Sequence, residues 1–347
     1  MIDSLPPPCQ PYLQDGRPGE VTLVWRDAKP APAHLVVRDL TGSPVVVVEV
    51  PAARQAQQRI TGLTPGAWYG YQLERPGQAP FQGRFVANRG PQATHLRFTV
   101  MGDMGDGSPA QHAIAGHMAA WKPEFVLTVG DNVYPDASAA DFGPKFFDVY
   151  GPMIANAPIY PTLGNHDMRT DAGAPYLAAF VLPQDPAGER YYAFDEGPAR
   201  FWALDSNQSL APGSPQYKWL EADASASRAK WKIAFFHHPP YSSGLHGQEA
   251  KNRAWLPPLF SRLGFTAVFT GHDHHYERSL PIGGVTYFVT GGGGAMLYGT
   301  QDKPFTDRKA IRHEFLAVSI FEDRMGVLSI DEDGKPLDAA VLTPPLR

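Results

Sequence analysis

Five short apolar runs in this chain each end abruptly in residues that offer oxygen or nitrogen ligands, and this recurrence constrains the fold more than any other feature. The endings are GDMG at 102–105, GDNVY at 130–134, GNHD at 164–167, FFHHPPY at 235–241 and FTGHDHHYER at 269–278. Runs of this length read as buried strands. Between the first two, Ser108 and Pro109 form a helix cap and first turn, and Ile114, Met118 and Trp121 recur at helical spacing. Alternation of strand and helix predicts a layered α/β domain, in which sites form beyond the carboxyl ends of the strands. The ligand-bearing motifs fall at those ends.

The rest of the chain is read around them. Further strands are expected at 96–101, 125–129, 159–163, 200–204, 232–236, 266–270 and 285–290. A second helix is expected from Ser214 and Pro215, a third near Asn252, and a closing three-strand meander. Before Asn88 the pattern differs: short β-type runs at 21–26, 34–40, 45–50, 58–63, 68–74 and 82–87, punctuated by Gly, Pro and Asp, predict a sandwich of about seven short strands. It holds no cluster of His, Asp or Glu, so a scaffold role is expected. The polar NRGPQAT at 88–94 is a boundary candidate, dividing the chain into 1–91 and 92–347.

Composition excludes several function classes. A net charge of -5 with no basic run argues against general nucleic-acid binding. No apolar window is long enough to cross a bilayer, which takes roughly 18 residues or more. Cys9 is the one cysteine, so no internal disulfide forms and a zinc-thiolate centre is excluded. MIDSLPPPCQ at the start has neither a basic head nor an apolar core. A leader is therefore absent or already trimmed, implying a secreted or periplasmic protein if trimmed and a cytoplasmic one otherwise. Nothing in the sequence sets an oligomeric state.

Of the twelve histidines, His166, His237, His238, His246, His272, His274 and His275 lie in or beside the five motifs. A Gly-Asp step at a strand end is by itself more often a turn than a ligand. Together, the carboxylates Asp103 and Asp131, the amide of Asn165 and the imidazoles suit two hard-to-borderline metals sharing one site. Asp167 and Asp205 are candidates to orient ligating imidazoles. Glu277 and Arg278 are expected to pair and hold their loop, and His95, His112, His117 and His313 to be ordinary residues.

The ordered set of five motifs resembles the metallophosphoesterases, and Tyr134 within GDNVY narrows the resemblance to the purple acid phosphatases. The N-terminal β module, with LTPGAWYGYQL at 63–73, resembles a fibronectin type III-like domain, and VTYFVTGGGGAML at 285–297 supports the same family. The resemblance implies a four-layer α/β/β/α sandwich preceded by that all-β domain. It implies that Asp103, Tyr134 and His274 hold Fe(III), that Asp131 bridges, and that Asn165, His237 and His272 hold a second divalent metal, Fe(II), Zn or Mn. A Tyr134 phenolate on Fe(III) would give a charge-transfer colour. The implied activity is acid phosphatase: hydrolysis of small phosphate monoesters by metal-activated hydroxide. His166 would contact phosphate and protonate the leaving oxygen, while His246, His238 and His275 are further substrate-side candidates. Alternatives are a phosphodiesterase or cyclic nucleotide phosphodiesterase on the same site, a phosphotransferase, and a binding protein with a degenerate site.

Overall fold

The computed structural model describes residues 5–183, 188–247 and 249–345; Met1 to Ser4, on which the reading of the N-terminus partly rests, lie outside them. The N-terminal sheet is built from β1 (Cys9–Arg17), β2 (Glu20–Asp39), β3 (Pro44–Ile60), β4 (Trp68–Glu74) and β5 (Phe81–Val86). It runs β1-β2-β4-β5, with β3 paired to β2, and every pair is antiparallel. This corrects the expected set of short strands. Residues 21–26 and 34–39 belong to the single long β2, and 45–50 and 58–60 to β3. Pro30, Pro32 and Pro51 do not end these strands, because register shifts between Arg26 and Ala33 accommodate the missing N–H groups. The first half of β2 pairs with β1 and its second half with β4. The bent ribbon thus wraps a core of Leu13, Leu23, Trp25, Leu35, Val37, Tyr71 and Phe85.

Beyond residue 94 two sheets pack face to face. One contains β6 (His95–Met101), β7 (Phe125–Thr128) and β8 (Ile159–Pro161), mutually parallel, and the antiparallel meander β16 (Glu314–Phe321), β17 (Met325–Asp331) and β18 (Pro336–Leu342). The other runs β15 (Thr306–Ala310), β13 (Tyr276–Ser279), β14 (Thr286–Thr290), β12 (Ala267–Thr270), β11 (Trp231–Phe235), β10 (Ala199–Ala203) and β9 (Tyr192–Glu196).

The period of two along these strands sorts their side chains by layer. Phe201, Phe235, Phe269 and Phe288 point into the core they share with Phe98 and Phe125 of the first sheet, where Phe201 and Phe269 meet Phe98 edge to face. Trp202, Ala234, Val268 and Tyr287 point outward, under α4 (Pro215–Ala226) and α5 (Ala250–Leu263). On the other side α1 (Pro109–Trp121), capped by the Ser108 side chain, buries Ile114 and Met118. Two shorter α-helices, α2 (Asp148–Ile154) and α3 (Ala174–Ala179), follow β7 and β8. The result is an α/β/β/α sandwich. No helix among the described residues is long and apolar enough to cross a membrane.

The N-terminal sheet is docked rather than tethered. Cys9, Tyr12 and Val24 share the core that holds Phe98 and Phe147. The Tyr12 hydroxyl donates to Ala179 O at 2.6 Å, Tyr71 to Ala155 O at 2.8 Å, and Tyr160 to Gly16 O at 2.9 Å. In the connecting segment Asn88 donates to Asp195 O, and Arg89 grips both carboxylate oxygens of Glu124.

Beside that grip, buried Glu196 accepts the Arg89 N–H at 2.8 Å, and burial pushes its carboxyl up to about 8. A folded-state value above the unfolded one gives stability that is complete below the ordinary value of 4.5 and is lost as pH rises through about 8. Glu196→Gln is expected to flatten that decline in melting temperature, scanned by calorimetry across this window. An unchanged slope would reject the assignment.

Candidate metal centre

The five motifs leave the carboxyl ends of β6, β7, β8, β11 and β12 and converge. Three ligand candidates there adopt left-handed backbone angles, Asp103 at φ 56, Asp131 at φ 50 and His272 at φ 71. Non-glycine residues rarely hold this conformation outside constrained sites. At Asp103 and Asp131 it turns the carboxylate inward just after the strand. At His272 it reverses the chain after β12, so that His272 and His274 both face the cluster.

Tyr134 stands at the centre. Its hydroxyl lies 3.0 Å from Asp103 Oδ1, 3.1 Å from Asp131 Oδ2 and 3.1 Å from His274 Nε2. One proton cannot serve three acceptors. His237 raises the same conflict: its Nδ1 is spent on Val129 O at 2.9 Å, while Nε2 faces Asn165 Oδ1 at 3.0 Å, His272 Nδ1 at 3.2 Å and Asp131 Oδ2 at 3.3 Å. His274 likewise commits Nδ1 to Met296 O at 2.7 Å and turns Nε2 to Asp103 Oδ1 at 3.3 Å. Lone pairs therefore converge where only cations relieve their repulsion, and the donor set of carboxylate, phenol, amide oxygen and imidazole fits metal ions.

The electrostatics point the same way. Burial pushes the His237 imidazole down, but Asp131 and Asp103 pull it up to about 9. Burial opposes ionisation of Asp131 as well, yet His237 and His166 draw it below the usual carboxylate range. Burial, then Asp103 and Asp131, drives the Tyr134 phenol well above its ordinary value. The site demands positive charge, and the buried phenol gives up its proton only to a strong one.

Around this centre His166 donates its backbone N–H to Asp131 Oδ1 at 2.7 Å, and its Nδ1 lies 2.5 Å from Pro135 O. His238 is fixed by Ser206, whose Oγ lies 2.8 Å from Nδ1, and its ring sits 4.6 Å from that of His272. Burial, then His237, pushes His238 down to about 3. The His246 ring lies tilted, 4.5 Å from that of His272, and meets the Tyr298 hydroxyl at 3.2 Å.

Other expectations are corrected. His275 is fully buried, with Nε2 on Glu277 at 3.0 Å, and the structure does not bring it to the cluster. Glu277 and Arg278 do not pair with each other, because neighbours on a strand face opposite sides. Glu277 holds His275, Ser243 and Thr306, whereas Arg278 holds Asp307 and Asp338. Asp167 and Asp205 orient no histidine. Asp167 accepts from Asn132 and Gly164, clamping the GDNVY and GNHD loops together, and Asp205 accepts from Asn207 and Gln208. Backbone carbonyls do the orienting instead.

Three residues of the site went unread in the sequence. Tyr298 stacks 4.3 Å from His274. Asp273, buried between His272 and His274, accepts from Ser242 Oγ and from the N–H groups of His246 and Gly247, fixing the loop that carries His246. Arg169 reaches His166.

A family model for calcineurin-like phosphoesterases matches residues 96–276, just over half of the chain. Mouse acid phosphatase type 7 is 27% identical over 342 residues, covering 86% of this chain and 74% of that protein. Purple acid phosphatase 15 of Arabidopsis thaliana is 27% identical over 281 residues, covering 68% and 53%. Among solved structures, a purple acid phosphatase from yellow lupin (Lupinus luteus) seeds superposes with a TM-score of 0.87 at 19% identity, covering 97% of this chain and 74% of that one. PhoD superposes with a TM-score of 0.73 at 15% identity, covering 96% and 88%.

Proposed function

The chain belongs to the calcineurin-like phosphoesterase family, and from that premise we propose how its residues divide the work of metal-dependent phosphate monoester hydrolysis, the activity its purple acid phosphatase relatives support. The observation that carries the division is the meeting of the Tyr134 hydroxyl with Asp103, Asp131 and His274. Asp103, Tyr134 and His274 would hold Fe(III). Asp131 would serve both ions, and Asn165, His237 and His272 would hold a divalent partner, Fe(II), Zn(II) or Mn(II). The phenol supports a trivalent ion, because burial beside two carboxylates resists its ionisation.

Such a pair of ions, when bound, acidifies water and neutralises phosphoryl oxygens. The protein supplies everything else. Val129 O and Met296 O hold His237 and His274 in the tautomer whose Nε2 is free to ligate. His166, pinned to Asp131 and Pro135, presents its ring edge to the phosphate and the departing oxygen. His238 and His246 flank His272 and line the opposite side of the phosphate position. The tight loops contributed by β6, β7 and β12 keep these groups in register before substrate arrives, so little reorganisation is left for the reaction itself.

Metal analysis with a visible absorption spectrum, on protein purified without chelator, tests this reading. About two metals per chain, one of them iron, with a broad visible band that disappears in Tyr134→Phe, is the expected result. Two metals without that band would reject the Tyr134–Fe(III) assignment and leave a phosphoesterase of other metal content.

A further inference from the structure

The turn from His166 to Arg169 places two side chains on the same rim of the centre. Arg169 N–H donates to His166 O at 3.2 Å, closing the turn. The carbonyl of Pro135 then orients both side chains, with His166 Nδ1 at 2.5 Å and Arg169 Nη1 at 3.3 Å. Arg169 Nη1 also reaches Asp136 Oδ1 at 3.3 Å. Its Nη2 lies 3.3 Å from His166 Nε2, which is itself 4.0 Å from Asp131 Oδ2.

A permanent cation therefore stands one imidazole away from the bridging carboxylate candidate, beside the ring assigned above to the departing oxygen. Its side chain is 48% exposed, and all three side-chain contacts are 3.3 Å long. A guanidinium only donates, so its bond to Nε2 makes that nitrogen an acceptor. A substrate atom that takes Nε2 releases the Nη2 edge. The freed fork then faces whatever lies beyond the scissile phosphorus, and a planar fork is matched by two oxygens of one phosphate.

We propose that Arg169 is a specificity-determining residue that pairs with a second phosphate on the leaving side, favouring phosphoanhydrides over esters with uncharged leaving groups. The proposal rests on the reading of the cluster as a phosphoesterase site. In the reaction the water oxygen bonds to the terminal phosphorus as the bond to the bridging oxygen breaks, with the electron pair staying on that oxygen. Pyrophosphate and one water thus yield two hydrogen-phosphate ions. A leaving phosphate carries the developing charge directly into reach of the guanidinium, whereas an aryl or alkyl oxygen offers it a single atom.

The test compares pyrophosphate with 4-nitrophenyl phosphate in the metal-loaded wild type, R169A and R169K. Loss of a charge-assisted pair predicts that the ratio of kcat/KM for pyrophosphate to that for 4-nitrophenyl phosphate falls about 10- to 100-fold in R169A, chiefly through KM. R169K should recover only part of it, because an ammonium lacks the fork. Calorimetric titration with methylenediphosphonate and with methylphosphonate gives a readout free of turnover, and the preference for the diphosphonate should shrink in R169A while metal content stays constant. Equal losses on both substrates would make Arg169 a support for His166 and overturn the proposal, as would no change on either. A wild type that hydrolyses neither substrate would overturn the phosphoesterase reading itself.

Discussion

Asp131→Asn is expected to strip the centre of metal and lower kcat/KM on an aryl phosphate by at least ~10³-fold, since a bound ion is worth several kcal/mol to the transition state. The carboxylate meets Tyr134, His237 and His166. Oδ2 faces Tyr134 and His237, while Oδ1 accepts the His166 N–H at 2.7 Å. An amide keeps the shape but removes the negative charge, and it directs N–H hydrogens or a single carbonyl at positions that ions would occupy. Plasma emission spectrometry on the purified variant, beside wild type and with circular dichroism to verify folding, measures the outcome. Retention of both metals would show that Asp131 is no bridge.

Gly164→Ala should act as strongly through sterics alone. A Cβ on Gly164 would lie inside 3.0 Å of both the Asp131 carboxylate and the Asp131 backbone nitrogen, neither of which is the loose end of a flexible chain. Overpacking against fixed groups costs 1–3 kcal/mol in ordinary cores, and here about 3 kcal/mol or more is expected because the carboxylate must also leave its hydrogen bond to His166. Both the melting temperature and the metal content should fall. Gly116→Ala is the control: it sits inside α1 with nothing within 4 Å of its added carbon, and there alanine should be neutral or stabilising. Equal effects of the two substitutions would refute the close-approach argument.

What could be read before the structure was largely what strand ends advertise. GDMG, GDNVY, GNHD, FFHHPPY and GHDHHYER are conspicuous because side chains with ligand atoms follow apolar strands, and those positions do converge. Their supports were not legible. The carbonyls of Val129 and Met296 that orient His237 and His274 belong to the backbone, so no residue type betrays them. Asp273 reads like one more member of a ligand run, yet its partners Ser242, His246 and Gly247 lie some thirty residues upstream. Edge strand β15, Thr306–Ala310, is too polar to show a buried pattern. Strand β1 hid in a proline-rich lead, and prolines that looked like breakers in β2 and β3 fell at a bulged bend instead. Arg169 stood one turn beyond a recognised motif, and only the shared Pro135 carbonyl reveals its relation to His166.

The shared core at the base of the N-terminal sheet bears on how this architecture changes over time. Tyr12, Gly16 and Tyr71 meet Ala179, Tyr160 and Ala155 through hydrogen bonds, and Cys9, Tyr12 and Val24 are packed among residues of the phosphoesterase half. The leading module is thus no interchangeable cassette. A graft from another protein would have to bring its own tyrosines and apolar side chains to the same places, so the two halves are bound to drift in sequence as partners, each substitution at the seam narrowing what the other side can accept.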